Sequence, residues 1–166
     1  MTINAAKLMQ SALITLLLLS VYSLAYADNI TGRIVGIADG DTLTLLDETN
    51  TQHKIRLAAI DAPEKAQPFG NRSKQKLSGL CFKQPASVEV TDKDRYGRLV
   101  GIVMCNAVNA NEAMLTSGMA WVYRKYAEGF GDYYALEREA QATQAGLWSE
   151  PNPVAPWECR KTKRNK

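Results

Sequence analysis

The sequence predicts an α+β, β-rich fold: a five-stranded OB-fold barrel with three helices, in the order strand-strand-strand-helix-strand-strand-helix-helix. Three observations carry this. Short apolar runs alternate with polar turns. A helical stretch interrupts them after the third run. Helical spacing takes over from Asn109 onward. The 166 residues suffice for one such domain.

Residues 1–27 stand apart. Lys7 precedes the apolar run Ala12 to Leu19, and Ala25-Tyr26-Ala27 closes it, the pattern of a secretory signal peptide cut after Ala27. The rival reading is an uncleaved membrane anchor, against which Ser20 and Ser23 shorten the run below what a span usually needs. The expected division is signal peptide 1–27, barrel domain 28–150, and a Pro-rich then basic tail 151–166. The mature chain is expected in the periplasm or the medium, as a monomer without stable membrane association.

Gly32 to Ala38, with Ile34, Val35 and Ile37, reads as the first strand. Asp39-Gly40 turns the chain into the second, Asp41 to Asp47. A polar turn leads to the third, Gln52 to Ile60. Pairing about Thr49 and Asn50 sets Asp41 opposite the residues just before Asp61. Pro63 and Pro68 break the ladder. Gly70 to Leu80 reads as a helix ending near Gly79, and Ser87 to Thr91 and Arg98 to Met104 as strands joined by a turn at Asp92–Arg95. Asn109 with Glu112 has capping-box spacing and opens a helix that stops at Gly118. Met119 to Tyr123 is a short extended or irregular piece. Asp132 caps a last helix through Ala145, closed by Gly146, with Leu147 and Trp148 packing back on the core. Pro151, Pro153 and Pro156 then end regular structure.

The formal charge is +3, unevenly spread: Arg160, Lys161, Lys163, Arg164 and Lys166 crowd the last seven residues. Such a tail attracts polyanions; its plain reading is a frayed, solvated terminus. Three cysteines in an exported chain permit one disulfide. Cys81 and Cys105 bracket a predicted hairpin and can meet, which leaves Cys159 free or paired between chains. Their spacing fits no zinc site. His53, the sole histidine, reads as surface, and no Ser-His-Asp or Cys-His nucleophile set is present.

Asp41, Asp61 and Glu64 converge with Arg56 at one strand end, a grouping that suits a hard metal ion and a phosphate. Arg56 and Asp61 are five apart, so a straight strand would point them to opposite faces. A bulge or strand end at Ala58-Ala59 has to intervene. A second cluster, Asp94-Arg95-Tyr96-Gly97-Arg98, sits on the turn between the last two strands.

Taken in order, Asp39-Gly40-Asp41-Thr42, Arg56-Leu57, Asp61-Ala62-Pro63-Glu64 and Asp94-Arg95-Tyr96-Gly97-Arg98 resemble the staphylococcal nuclease (thermonuclease) family. Asn111-Glu112-Ala113, Gly118 to Tyr123 and Ala145-Gly146-Leu147-Trp148 are similar to it as well, so the likeness covers about residues 32–149. The resemblance implies Ca2+ on the carboxylates of Asp41 and Asp61 and the backbone carbonyl of Ala62. It implies Arg56, Glu64 and Arg98 as catalytic residues, and Asp94, Tyr96 and Tyr123 around the bound nucleotide. Trp121 stands where the family commonly has a tyrosine in that pocket, and the Lys65–Gln75 segment is shorter and less basic than in the best-known members. The implied activity is calcium-dependent hydrolysis of DNA and RNA at the 5′ side of the phosphate, leaving 3′-phosphate ends. The alternatives are a non-catalytic OB-fold nucleic-acid-binding module and a calcium-stabilised structural module. A lapsed enzyme should have lost Arg56, Glu64 or Arg98, and all three remain.

Overall fold

Alternating burial along five runs builds the barrel. The computed structural model describes residues 29–164; the expected signal peptide lies outside the described residues. Strands β1 (Asn29–Ile37), β2 (Thr42–Leu46) and β3 (Gln52–Leu57) form an antiparallel meander. The chain continues through β4 (Ile60–Asp61) and helix α1 (Gly70–Cys81) to β5 (Pro85–Lys93) and β6 (Leu99–Cys105). β5 pairs with β1, and β6 with β5. The circle closes where β3 and β6 run parallel, with Ile55 opposite Leu99 and Leu57 opposite Gly101. Ile34, Leu43, Leu45, Ile55, Val88 and Val103 fill the interior, fully buried. Each is worth about 1.5–3 kcal/mol relative to exposure.

The second half covers the barrel. A short strand β7 (Val108–Asn109) leads into α2 (Ala110–Thr116). The Asn109 side chain accepts from the Glu112 amide at 3.2 Å and donates to the Glu112 carboxylate at 2.8 Å, as the capping-box spacing predicts. Met114, Leu115 and α1's Leu77 are fully buried in the same core. Strand β8 (Trp121–Val122) pairs with β4, and α3 (Tyr133–Ala142) packs beneath α2 and β8. Cys81 ends α1 and Cys105 ends β6; the two are joined in a disulfide with Cα atoms 5.2 Å apart. Gly118 and Gly146 hold positive φ, +62° and +54°, where a side chain would meet the other segment's backbone. Leu147 N–H donates to Gly118 C=O at 2.8 Å across this contact.

Several expectations are corrected. The third strand stops at Leu57 rather than Ile60, because Ala59 turns with φ 59° and Ile60–Asp61 re-pairs as β4. Asp41 therefore faces Leu57, whose N–H donates to its carbonyl at 2.8 Å. Asp132 precedes α3 but makes no capping bond, and the helix ends at Ala142, with a 3-10 turn over Gly146–Ser149. His53 is not free surface: its Nε2 lies 2.7 Å from Asp47 Oδ2. The tail is not frayed. Residues Pro156–Arg164 form helix α4, giving four α-helices among the described residues rather than three. Proline breaks a helix interior but is well suited to the first turn, where its missing N–H costs nothing.

Candidate active site

The chemistry gathers at the β2–β3 end of the barrel. Asp41 leaves the Asp39-Gly40 turn buried, 4% exposed. Gly40 leaves no room for a Cβ, because Ser73 of α1 presses on it. Ser73 Oγ in turn donates to Met119 C=O at 2.6 Å. Asp41 Oδ1 accepts from Arg56 Nη1 at 2.8 Å and from Thr42 Oγ1 at 2.9 Å, and Oδ2 accepts from Ala62 N–H at 2.9 Å. Asp61, 1% exposed, offers Oδ1 to Arg56 Nη2 at 2.9 Å. One guanidinium fork thus spans two buried carboxylates. Burial pushes the Asp61 carboxyl up, against the pull of Arg160 and Arg56. Asp39 is pushed up to about 6 by burial and by the neighbouring Asp41 charge. Burial opposes the charge of Arg56, but Asp41 and Asp61 hold it protonated.

The turn that brings Arg56 and Asp61 together is pinned from below. Buried Asn111 donates to Ala58 C=O at 3.0 Å and Gly101 C=O at 3.3 Å, and accepts from Val103 N–H at 3.0 Å. Its side chain therefore clamps the turn to β6. Tyr123 N–H reaches Ala59 C=O at 2.8 Å from the other side.

Arg98 arrives from the turn before β6. The Asp94 carboxylate accepts from Arg98 Nε at 2.7 Å, Arg98 N–H at 3.0 Å and Tyr96 N–H at 2.9 Å. Burial would raise the Asp94 carboxyl, but these bonds to Arg98 hold it below the usual carboxylate range. Arg98 Nη1 then donates to Thr42 Oγ1 at 3.2 Å, beside Asp41. Tyr96 is 70% exposed at the outer rim, its ring 5.6 Å from the Arg98 guanidinium.

Glu64 follows Ala62-Pro63 on a turn closed by Gln67, whose Oε1 accepts from Glu64 N–H at 2.9 Å. Trp121 lies opposite Asp61 in the β4–β8 pair, and Tyr123 stands one residue beyond β8. Buried Glu137 of α3 sets this edge by accepting from Val122 N–H and Arg124 Nη2, each at 2.8 Å. The structure thus brings Asp41, Arg56, Asp61 and Ala62 into direct contact and joins Asp94 and Arg98 to them through Thr42. It sets Trp121 and Tyr123 on the adjoining edge, with Tyr96 at the rim.

A profile of the staphylococcal nuclease homologue family matches residues 54–150. The chain is 40% identical over 149 residues to an uncharacterized endonuclease of Haemophilus influenzae, covering 90% of this chain and 83% of that protein. It is 40% identical over 151 residues to a micrococcal nuclease of Shigella flexneri, 85% of this chain and 86% of that one. A third relative, the ParB protein of Escherichia coli, shares 39% over 168 residues, 95% of this chain and 94% of its own. The chain belongs to the staphylococcal nuclease family.

Sequence reasoning missed two residues of this family member's site, both on α4 and both beyond the 54–150 match. Arg160 Nη2 lies 2.6 Å from Asp61 Oδ2, and its Nη1 lies 2.8 Å from Glu64 Oε1 and 3.2 Å from Asp61 Oδ1. The ring of Trp157 stacks on Tyr123, 5.5 Å between centroids and 2° between planes. Pro156 at a helix start, followed by Trp157 and Arg160 three apart on one face, was the available signal.

Does this nuclease-family site suit a hard cation? Among the described residues no three His, Cys, Asp or Glu side chains form a ready metal cage. The centre offers two nearly inaccessible carboxylates whose charges are balanced by guanidinium groups. A centre whose anionic donors are oxygen alone, without imidazole or thiolate, fits a hard cation whose remaining ligands come from backbone, water and substrate.

Proposed function

We propose that this chain is an exported, calcium-dependent endonuclease that hydrolyses phosphodiester bonds of DNA and RNA with low sequence specificity and leaves 3′-phosphate ends. The observation that carries the reading is the Arg56 fork across Asp41 and Asp61, 2.8 and 2.9 Å, with Arg98 and Glu64 beside it. Asp41, Asp61 and the Ala62 carbonyl would hold the calcium. When bound, the ion supplies Lewis-acid polarisation of the phosphate and offsets its charge. Arg56 and Arg98 present planar donor forks to the phosphate oxygens, where charge grows as the bond to phosphorus forms. Such preorganised donors are worth about 2.7–4 kcal/mol each. Glu64 takes the proton of the attacking water. The water oxygen bonds to phosphorus, the bond from phosphorus to O5′ breaks, O5′ leaves as a hydroxyl with a proton drawn from solvent water, and the 3′ side keeps the phosphate. Trp121, Tyr123 and Tyr96 offer aromatic faces to bases, and bases of any identity stack on such faces.

The disulfide between Cys81 and Cys105 supports export, since such bonds persist in oxidising compartments. Among the described residues no helix is long and apolar enough to cross a membrane. The deciding experiment is cleavage of single-stranded DNA with calcium and with a chelator, followed by end-group analysis. Cleavage with calcium alone, leaving 3′-phosphates, is expected. Calcium-dependent binding without cleavage would favour the non-catalytic binding module instead.

A further inference from the structure

Helix α4 lies where a metal ion and a nucleotide have to go. The Arg160 guanidinium occupies both oxygens of Asp61 and one of Glu64, at 3.2, 2.6 and 2.8 Å. These are acidic groups that the proposed mechanism needs free. Three residues earlier, on the same helix face, Trp157 covers the ring of Tyr123 in parallel and meets Trp121 edge-on at 5.8 Å. Gln67 Nε2 donates to Val154 C=O at 3.1 Å, tying the approach to α4 to the loop that carries Glu64. The helix therefore touches the expected cation position and the expected base-stacking face together.

We propose that α4 is an internal occupant of the catalytic centre, which calcium and nucleic acid displace together. Arg160 covers Asp61, one of the carboxylates assigned to the cation, together with Glu64, the proposed base, and Trp157 stands in a base's place on Tyr123. This rests on the calcium-dependent reading above. Calcium takes carboxylate oxygens at about 2.3–2.6 Å. Arg56 uses only Oδ1 of Asp61, so Oδ2 is the oxygen left for a calcium ion, and Arg160, 2.6 Å from it, has to give it up. A stacked ring likewise cannot accept a base until Trp157 withdraws. The Glu64 half of the clamp is open to solvent: Arg160 is 40% exposed and Glu64 37%, so water and salt weaken their pairing, whereas the Asp61 half is buried and yields to a competing cation. Once free, α4 presents Arg160, Lys161 and Arg164, cations that a phosphate backbone attracts. Calcium expels the helix and nucleic acid recruits it.

The test is calorimetric calcium titration, without nucleic acid, of the protein and its Arg160→Gln variant. It is paired with hydrogen exchange over residues 156–164 of the unaltered protein. Arg160→Gln is expected to bind calcium roughly tenfold more tightly, a usual size for coupling between two sites. Calcium is expected to speed exchange across α4 in the unaltered protein. Trp157→Ala keeps every charge and is expected to tighten calcium binding in the same direction; its melting curve checks folding. Equal or weaker calcium binding by Arg160→Gln overturns the proposal and makes Arg160 a residue of the loaded site. Exchange over 156–164 that calcium leaves unchanged or slows also overturns it. Calcium bound equally by both proteins leaves the calcium reading standing, whereas calcium bound by neither overturns both.

Discussion

Arg56 Nη2 and Asp61 Oδ1 lie 2.9 Å apart, although a straight strand would point these residues to opposite sides of the sheet. The left-handed turn at Ala59, φ 59°, reverses that geometry and lets one guanidinium bridge two buried carboxylates. Arg56→Ala should leave both charges buried without this partner. Loss of about 3–5 kcal/mol is expected, as for other broken buried pairs. Urea unfolding without metal measures it, and added calcium should restore part of the loss. Turnover should fall about 100- to 1,000-fold.

A β-branched residue at Ala59 would oppose the same turn. Ala59→Val should cost about 1–2 kcal/mol, because a left-handed conformation is poorly tolerated by branched side chains. Thermal melting reads the cost. A matching fall in turnover would tie the turn to the alignment of Arg56 and Asp61.

Asn111 makes no contact with the proposed substrate, yet it holds Ala58 and Gly101 from inside the core. Asn111→Ala should leave buried backbone groups unpaired and cost about 1–3 kcal/mol. Denaturant unfolding gives this number. A variant as stable as the parent would show that the clamp is dispensable.

Glu64→Gln should retain calcium and oligonucleotide binding while turnover drops about 100- to 10,000-fold, the usual worth of a positioned base. Unchanged turnover would remove Glu64 from the proton transfer. Direct binding and single-turnover cleavage separate the two effects.

The β2–β3 turn carries a pH signature. Asp47 is held well below the usual carboxylate range by His53 first, then by the donors of Thr49 and Thr51. A depressed carboxyl stabilises the fold above its unfolded value, about pH 4, and loses that contribution as pH falls toward its folded value. The stability gap between the protein and Asp47→Asn should therefore be full at neutral pH and shrink in acid. Urea midpoints between about pH 3 and 7 follow it.

Most of the barrel was legible because its period-two alternation and polar turns are local signals. The grouping of Asp41, Arg56, Asp61 and Ala62 was legible as an ordered set of motifs, and even the need for a break at Ala58-Ala59 could be deduced from the five-residue offset between Arg56 and Asp61. What escaped depends on tertiary contact. Ile60–Asp61 became its own strand because Trp121–Val122 was there to pair with it. Glu137 looked like any acidic helix residue until Val122 and Arg124 turned toward it. Arg160 was hidden among neighbouring basic residues, and only the Asp61 and Glu64 carboxylates, about a hundred positions earlier, distinguish it from them.

The closing seam of the barrel has a consequence for the cell that makes this protein. Arg56 sits on β3 and Arg98 just before β6, so the two arginines reach the same end of the barrel only when those parallel strands join. Parallel pairing between segments so distant in sequence is slow to form. A newly made chain thus carries every side chain of the proposed centre but not the centre itself. Under the proposed activity, nucleic acid in the producing cell meets no assembled site until the β3–β6 seam closes.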